Sequence, residues 1–453
     1  MNRGKVMSFN QHTPCVILPG IGQSKVELTD AEGNKIKMAW PLDVDGEDIL
    51  ESLKMPLAKM MLFRRDAGFS DKVKKVISEI ADPIATLSDG SMKNTLRVVS
   101  YPRSLAECEA DEKRYIYKMV PLQMLSERIG EENLFFFSYN SFGDTYEIAE
   151  ELSSFIDMVK EKTGSDKVNL VPVSLGGALS TAYFQLFRHK KDVKRVMYFV
   201  AALGGSHLIA DIMEKNIIPE NGVSMIEMLM DRKTADSVSG FLKLLPDGVF
   251  ETTINKVLDA LNETVLGNSM SMWGIIPPER YPALAKQYLS DEKHKALREK
   301  ADRFYEFRLH FPETVRELEE EGVEFFAICG YGLQLLALAG SDKMSSDGII
   351  HISSTSMGAK SAPLGETLGE SSDEGRHCRN DAHCHISPDK TIDASFGLWP
   401  ETTWYFASQR HDDTAYNDKA LGIAARVLSD DSFKDIYSDP DFPQFGQAHD
   451  NRK

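Results

Sequence analysis

Short, largely apolar runs that end near turn-forming residues recur along this chain, separated by segments with helical spacing. The runs lie at residues 15–18, 134–137, 168–173, 195–200, 325–329 and 403–407. Runs of this length, bounded by Gly, Pro or Ser, are typical of strands that are buried on both faces of a sheet. Because they alternate with helical segments, the sequence predicts an α/β fold with a mostly parallel central sheet flanked by helices.

Two long segments break this alternation. Residues 45–125 are mixed in composition, and residues 207–320 are polar-rich with helical spacing. Each follows a candidate strand, which indicates an insertion over one edge of the sheet. We therefore expect a single domain over residues 1–453, with a lid-type insertion at 45–125 and a helical cap insertion at 207–320.

Charge and hydropathy narrow the classes of partner. The 453 residues include 52 Lys and Arg against 69 Asp and Glu, which makes the formal net charge −17. An acidic chain is a poor match for nucleic acid or for an anionic membrane surface. No apolar stretch approaches the roughly 20 residues that span a bilayer, and the first 11 residues have no signal-peptide core. We expect a cytoplasmic protein, or a secreted one if a signal peptide has been removed; the oligomeric state stays open.

A strand–turn–helix pattern at residues 172–177 is the sharpest signal for chemistry. Ser174 follows an apolar run, and Gly176 and Gly177 open the next helical segment. A serine nucleophile on a strained turn needs such small neighbours, because strand and helix approach closely there. Pro172 stands where this motif has its first Gly, and the alternative role of Ser174 is a helix N-cap. We predict that Ser174 is a nucleophile.

A serine hydroxyl reacts readily only when a base takes its proton, so a histidine and an orienting carboxylate are expected. In hydrolases with this elbow, the acid and then the histidine follow the serine along the chain. Asp347 lies in a turn beyond the run at 325–329, with Asp342 as a nearby competitor. His411 follows the run at 403–407. We predict Asp347 as the acid and His411 as the base; a turn-forming Asp and a surface His are the alternatives.

Backbone amides are the expected partners of the oxyanion in such a site. One should be the N–H of Leu175, directly after the nucleophile. The other should be the N–H of Ile21, in a turn where Gly20 and Gly22 allow the backbone to face the site. The alternative for these glycines is a nucleotide-binding turn, but Lys25 stands where its third Gly is expected.

These residues resemble the lecithin:cholesterol acyltransferase-type branch of the α/β-hydrolase superfamily, which includes lysosomal phospholipases and many bacterial esterases. Residues 16–24 are similar to the P-G-x-x-G-S oxyanion stretch of that family, residues 137–140 to its Y-D-W-R stretch, and residues 272–277 to a W-x-x-P cap element. The elbow at Ser174 and the stretch at 404–411 extend the likeness.

The chain departs from the family pattern in two places. Pro172 and Val173 stand where the family usually has Gly and His, and the stretch at 137–140 lacks the Asp and Arg of Y-D-W-R. The resemblance implies an α/β-hydrolase fold and a lipase, esterase, phospholipase or acyltransferase activity. It adds no cofactor, and none is expected.

Candidates for substrate binding are Trp40, Trp273 and Met61, which lie in or near the two insertions. Methionine and aromatic side chains can line an apolar substrate channel, although packing between cap and sheet is the favoured interpretation.

A second cluster, at residues 377–385, contains two Cys and three His. Cys378, His383 and Cys384 are candidate zinc ligands. Their spacing matches no common zinc pattern, so we expect no metal there, but a surface loop with free thiols or one small disulfide loop.

The sequence as a whole predicts a serine hydrolase that cleaves carboxylic esters of lipids or other apolar acyl groups through an acyl-enzyme. The alternatives are an acyltransferase that passes the acyl group to an alcohol, a peptidase or amidase, and a non-catalytic binding protein with the same fold.

Overall fold

Seven parallel strands form the central sheet of this protein. The computed structural model describes residues 12–42, 46–218, 248–336, 343–370, 373–380 and 382–448. In chain order the strands are β1 Cys15–Leu18, β2 Val26–Thr29, β3 Lys35–Trp40, β4 Leu96–Val98, β5 Leu134–Phe136, β6 Val168–Pro172, β7 Val193–Phe199, β8 Glu324–Tyr331, β9 Lys360–Ser361, β10 Ile392–Asp393, β11 Thr403–Ala407 and β12 Phe445–Gln447. The central sheet has the order β12-β11-β8-β7-β6-β1-β5, and all its neighbouring pairs are parallel.

The strands of this sheet are buried on both faces, as their apolar runs predict. In β1, Val16 and Leu18 pack into one hydrophobic cluster, while Cys15 and Ile17 pack into the other. Successive side chains of a strand point to opposite faces, so a run that is apolar at every position fits two covered faces.

Helices cover both faces of the sheet and make up most of the two predicted insertions. Their bounds are Gly46–Phe63, Phe69–Ala81, Ala110–Met119, Gln123–Ile129, Thr145–Thr163, Gly176–Phe187, His207–Glu214, Val249–Thr264, Met270–Trp273, Tyr281–Tyr288, Lys295–Leu309, Phe311–Glu320, Ile352–Thr355 and Asp418–Ser429. Within the described ranges, no helix combines the length and apolar character needed to cross a lipid bilayer.

The two predicted insertions contact each other. Helix Phe69–Ala81 of the first lies against helix Val249–Thr264 of the second, and the Ser70 and Thr253 hydroxyls are 2.9 Å apart. Their status as a lid and a cap stays a prediction.

The parallel sheet brings four loops to one edge. The carboxyl ends of β1, β6, β8 and β11 lead to the segments that contain Ile21, Ser174, Asp347 and His411. A parallel sheet covered on both faces, with a strand–serine–helix turn at its carboxyl edge, is the α/β-hydrolase fold. The predicted fold class is confirmed.

Candidate active site

Ser174 occupies a strained turn between β6 and helix Gly176–Phe187. Its φ angle is +51°, a region that a residue with a side chain rarely adopts. The turn is held by backbone hydrogen bonds: the Ser174 N–H donates to Phe199 O at 3.1 Å, and the Ala202 N–H donates to Ser174 O at 2.9 Å. These bonds connect the turn to β7 and the residues after it, so the neighbouring strand maintains the strain.

Gly176 is required by the close approach of helix and strand. A Cβ at this position would lie 2.4 Å from the Leu18 carbonyl oxygen of β1. Pro172, in place of the motif's first Gly, is accommodated because it is the last residue of β6.

His411 lies between Ser174 and Asp347. Its Nε2 is 3.0 Å from Ser174 Oγ, and its Nδ1 donates to Asp347 Oδ2 at 2.7 Å. The Asp347 carboxylate is 1% exposed, and its other oxygen accepts from the amides of Ile349 and Ile350 at 3.0 and 2.8 Å. The His411 amide also donates to Asp347 O at 2.8 Å. Both the ring and the backbone of His411 are therefore positioned by Asp347.

Opposing effects set the pKa of His411. Burial lowers it, whereas the charge of Asp347, the hydrogen bond that His411 donates to Asp347 and the charge of Asp412 raise it. The net pKa lies above the ordinary value of 6.5. A raised pKa strengthens Nε2 as a proton acceptor and also means that the ring is protonated at mildly acidic pH.

The turn after β1 lies directly against Ser174. A Cβ added at Gly20 would be 3.0 Å from Ser174 Cβ and 3.6 Å from its Oγ. Only a glycine leaves this space open beside the hydroxyl.

Side chains hold the polar backbone groups of this turn. The Tyr139 hydroxyl donates to Pro19 O at 2.6 Å, and the Gly20 N–H donates to Gln23 Oε1. The Gly22 N–H donates to Ser141 Oγ at 2.9 Å, and the Trp40 indole donates to Gly22 O at 2.7 Å.

The backbone amides of Ile21 and Leu175 differ from those of Gly20 and Gly22 because they have no acceptor among the described residues. In the described part of the chain, neither the Ile21 N–H nor the Leu175 N–H has a hydrogen-bond acceptor. Both belong to segments that flank Ser174, where free donors can meet an oxyanion.

A cavity of about 310 Å³ opens onto Ser174 and His411. This volume is at the lower end of the roughly 300–1,000 Å³ range of ligand pockets. Its walls are mainly apolar, and they include Met119, Leu122, Met124, Leu125, Val171, Phe199, Leu421, Ala424 and Leu428.

The three predicted substrate-binding residues do not line this cavity. Trp40 holds the turn after β1 instead. Trp273 is 2% exposed and its indole donates to Gly267 O, so it packs among the helices of residues 248–320. Met61 is 67% exposed on helix Gly46–Phe63. The competing acid, Asp342, lies outside the described residues.

The predicted metal candidates separate into two groups. Cys378 and His383 lie with His385 and Glu401 in one cluster, while Cys384 is exposed and outside it. Both cysteines are free, so the small disulfide loop is absent from the structure.

Three positioning residues escaped the sequence analysis: Gln23, Tyr139 and Ser141. Tyr139 is separated by 120 residues from the carbonyl it contacts, and Ser141 by 119 residues from its amide partner. The available signal was their presence in or beside the two stretches similar to family motifs.

Chemically, the arrangement can activate a hydroxyl nucleophile and stabilise a negative oxygen beside it. Ser174, His411 and Asp347 form a continuous chain of hydrogen bonds, and two free amides and an apolar cavity adjoin its reactive end. These are the groups that acyl transfer from a carbonyl compound to Ser174 would require.

No protein-family model and no curated protein matches the chain. Among solved structures, it is similar to the phospholipase PlaB from Legionella pneumophila at 12% identity and TM-score 0.28, over 58% of this chain and 44% of that chain. It is similar to the Tle4–Tli4 complex at 13% identity and TM-score 0.37, over 91% and 97%. It is also similar to a lipase-esterase related protein from Clostridium acetobutylicum at 14% identity and TM-score 0.18, over 42% and 88%. At these values the similarities carry no argument about activity.

The His411 ring should titrate with a midpoint above pH 6.5 in the wild type. In Asp347→Asn the carboxylate charge is gone, burial dominates, and the midpoint should fall below 6.5. Two-bond ¹H–¹⁵N NMR of the histidine rings measures this, with the His411→Gln spectrum for assignment.

Asp412→Asn is the control for a more distant charge and should shift the midpoint downward by less. A wild-type midpoint below 6.5, or no change in Asp347→Asn, would contradict this account of the site.

Proposed function

We propose that this protein is a serine hydrolase that cleaves carboxylic esters with apolar acyl groups through an acyl-enzyme. The observation that carries the proposal is the hydrogen-bonded chain from Ser174 Oγ through His411 to the buried Asp347 carboxylate. Its reactive end adjoins two amides without acceptors and an apolar cavity.

In the first half-reaction, Ser174 Oγ attacks the ester carbonyl carbon while His411 Nε2 takes the hydroxyl proton. Asp347 accepts the hydrogen bond from His411 Nδ1–H, which fixes the orientation of the ring, and its charge stabilises the imidazolium. The tetrahedral intermediate collapses, the bond from carbon to the alcohol oxygen breaks, and His411 returns the proton to the leaving alcohol. An acyl-Ser174 ester remains.

In the second half-reaction, water attacks the acyl carbon and His411 takes its proton. Collapse of the second tetrahedral intermediate breaks the bond to Ser174 Oγ, which recovers the proton, and the carboxylic acid leaves. An alcohol in place of water would make the same enzyme an acyltransferase.

The amides of Ile21 and Leu175 are the proposed donors to the oxyanion. The turn around Ile21 supports this role, because hydrogen bonds to Pro19 O, Gly20 N–H and the N–H and O of Gly22 hold it in place. Donors that are oriented before the reaction need no reorganisation when charge develops.

The character of the cavity favours an apolar acyl group over a charged one. Most of its walls are Met, Leu, Val, Phe and Ala side chains, and Lys118 and Asp412 are the Lys and Asp residues of the lining. The net charge of −17 also disfavours anionic substrates. The closer assignment to the lecithin:cholesterol acyltransferase-type branch rests on the sequence motifs alone.

A fluorophosphonate probe should label the folded protein once, at Ser174. Ser174→Ala should lose labelling and about 10⁴-fold or more of kcat/KM for ester hydrolysis. Ser180→Ala is the matched control, because Ser180 is a buried serine of the following helix. Intact-mass and peptide spectrometry locate the adduct. A folded wild type that does not label would refute the hydrolase and leave the non-catalytic binding protein.

Filling the cavity should shorten the preferred acyl chain. Ala424→Leu adds three carbons to the cavity wall, so kcat/KM for long-chain chromogenic esters should fall about 10-fold while acetate esters keep their rate. A series of acyl lengths on one leaving group measures this.

The short esters serve as the internal control for folding. Equal losses at all acyl lengths, with discrimination by alcohol length instead, would assign the cavity to the alcohol half. Slow hydrolysis of every ester with fast transfer to an added alcohol would favour the acyltransferase.

Tyr139→Phe should lower kcat about 10-fold, because the turn that presents the Ile21 amide loses its donor to Pro19 O. Losing an oxyanion donor outright costs roughly 10²–10³-fold, so a loosened donor should cost less. The matched control is Tyr183→Phe. It removes a buried hydroxyl that donates to Asp192 Oδ1 at 2.8 Å and that is not part of the candidate site.

Both variants should lose about 1 kcal/mol of unfolding free energy, measured in urea. Only Tyr139→Phe should change kcat. Equal kcat values for the two variants would contradict the role of Tyr139.

A further inference from the structure

Four side chains of metal-binding type come together outside the candidate active site. Cys378, His383 and His385 lie on the loop before β10, and Glu401 lies just before β11. One potential ligand atom from each lies within 4.8 Å of all the others. Cys378 and His385 are 8% and 3% exposed, so half of the cluster is deeply buried.

The spacing of these atoms is close to that of a tetrahedral zinc site. Cys378 Sγ is 3.7 Å from His383 Nδ1 and 3.9 Å from Glu401 Oε1. Bonds of about 2.0–2.3 Å to zinc place neighbouring ligand atoms about 3.3–3.8 Å apart. The His383 Nδ1 to Glu401 Oε1 distance is 2.9 Å, so this pair must open by less than about 1 Å.

His385 provides the independent sign of a ligand. Its Nε2 is buried and has no hydrogen-bond partner among the described residues. Its Nδ1 lies 2.9 Å from Gln444 Oε1. A buried imidazole nitrogen without a partner is costly in an apoprotein, and it is the atom that a cation would satisfy.

Gln444 determines which nitrogen of His385 carries the proton. The Gln444 amide donates through Nε2 to Pro400 O at 2.7 Å and to Thr403 O at 3.3 Å, so its Oε1 must face His385. Nδ1 of His385 is therefore the protonated nitrogen, and Nε2 has a free lone pair. Histidines that bind metals are commonly oriented by such a hydrogen bond from the other ring nitrogen.

We propose that Cys378, His383, His385 and Glu401 bind a structural zinc ion. The thiolate and the carboxylate together supply two negative charges, which match the divalent ion. Imidazole and thiolate are typical zinc ligands, whereas calcium and magnesium prefer oxygen ligands. Four protein ligands close the coordination sphere, which is typical of structural rather than catalytic zinc.

Binding releases protons in a defined way. The Cys378 thiol loses its proton to solvent when it becomes a thiolate ligand. His383 Nδ1 binds through its lone pair, so the ring proton moves to Nε2, where Asn380 now lies at 2.9 Å. The Asn380 amide then turns to present its oxygen to that N–H and gives up the bond that this oxygen accepts from the Ala382 N–H at 3.0 Å.

The position of the site in the fold indicates what the ion does. Glu401 precedes β11, whose carboxyl end leads to His411, and Gln444 precedes β12 at the edge of the sheet. The ion would fasten the loop around residues 378–385 to the amino ends of these two strands. Ser174 lies at the carboxyl edge, so the ion takes no part in the reaction there.

The full-length protein tests the site directly, with the neighbouring cysteine as control. After equilibration with zinc and gel filtration, wild type and Cys384→Ser should each retain about one zinc per chain, measured by inductively coupled plasma mass spectrometry. Cys378→Ser and His385→Ala should bind zinc at least about 100-fold more weakly. Circular dichroism checks that each variant is folded.

Cobalt and a chelator give two further readouts that do not depend on activity. Cobalt-loaded wild type and Cys384→Ser should show tetrahedral d–d bands and a thiolate charge-transfer band, and Cys378→Ser should lack the latter. A chelator should lower the Tm of wild type but not of Cys378→Ser. Less than about 0.1 zinc per wild-type chain, or a charge-transfer band lost in Cys384→Ser and kept in Cys378→Ser, would overturn the proposal.

Discussion

The parallel pairing of β1, β6, β8 and β11 within one sheet is the constraint on which the candidate site depends. Parallel strands present their carboxyl ends at one edge, so strand register alone brings Ser174 close to His411, although they are 237 positions apart along the chain. Once the register is set, Ser174 and His411 follow their strands within four residues, and the longer segment after β8 brings Asp347 to them. The hydrogen bonds among the three side chains then set their final positions.

The turn after β1 illustrates how a protein can aim one backbone amide. Tyr139, Gln23, Ser141 and Trp40 bind the polar groups around Ile21 and leave its N–H without an acceptor. A free amide held in place beside Ser174 can donate to an oxyanion, which is the role proposed for Ile21. Burial without a partner is costly for a polar atom, and this argument applies to Nε2 of His385, whose proposed partner is a metal ion.

Local patterns were reliable where a short segment determines its own structure. The apolar runs correspond to buried strands, and β11 has the bounds of its run at 403–407. Patterns were poor guides to side chains whose role depends on distant partners. Trp273 is a buried core residue, Met61 is exposed, and the methionines beside the cavity are Met119 and Met124. In the Cys/His cluster, closeness in sequence to His383 suggested Cys384 as a ligand candidate. The structure instead places His385 and Glu401 beside Cys378 and His383.

The sequence by itself determined the fold class, the serine turn between strand and helix, and the chain order of Ser174, Asp347 and His411, because each is encoded in a run of a few residues with one physical requirement. Only the tertiary structure decided which amides are free, which side chains line the cavity and which groups surround Cys378. Those properties depend on distances between segments far apart in the chain, and such distances arise only when the sheet and its covering helices have packed.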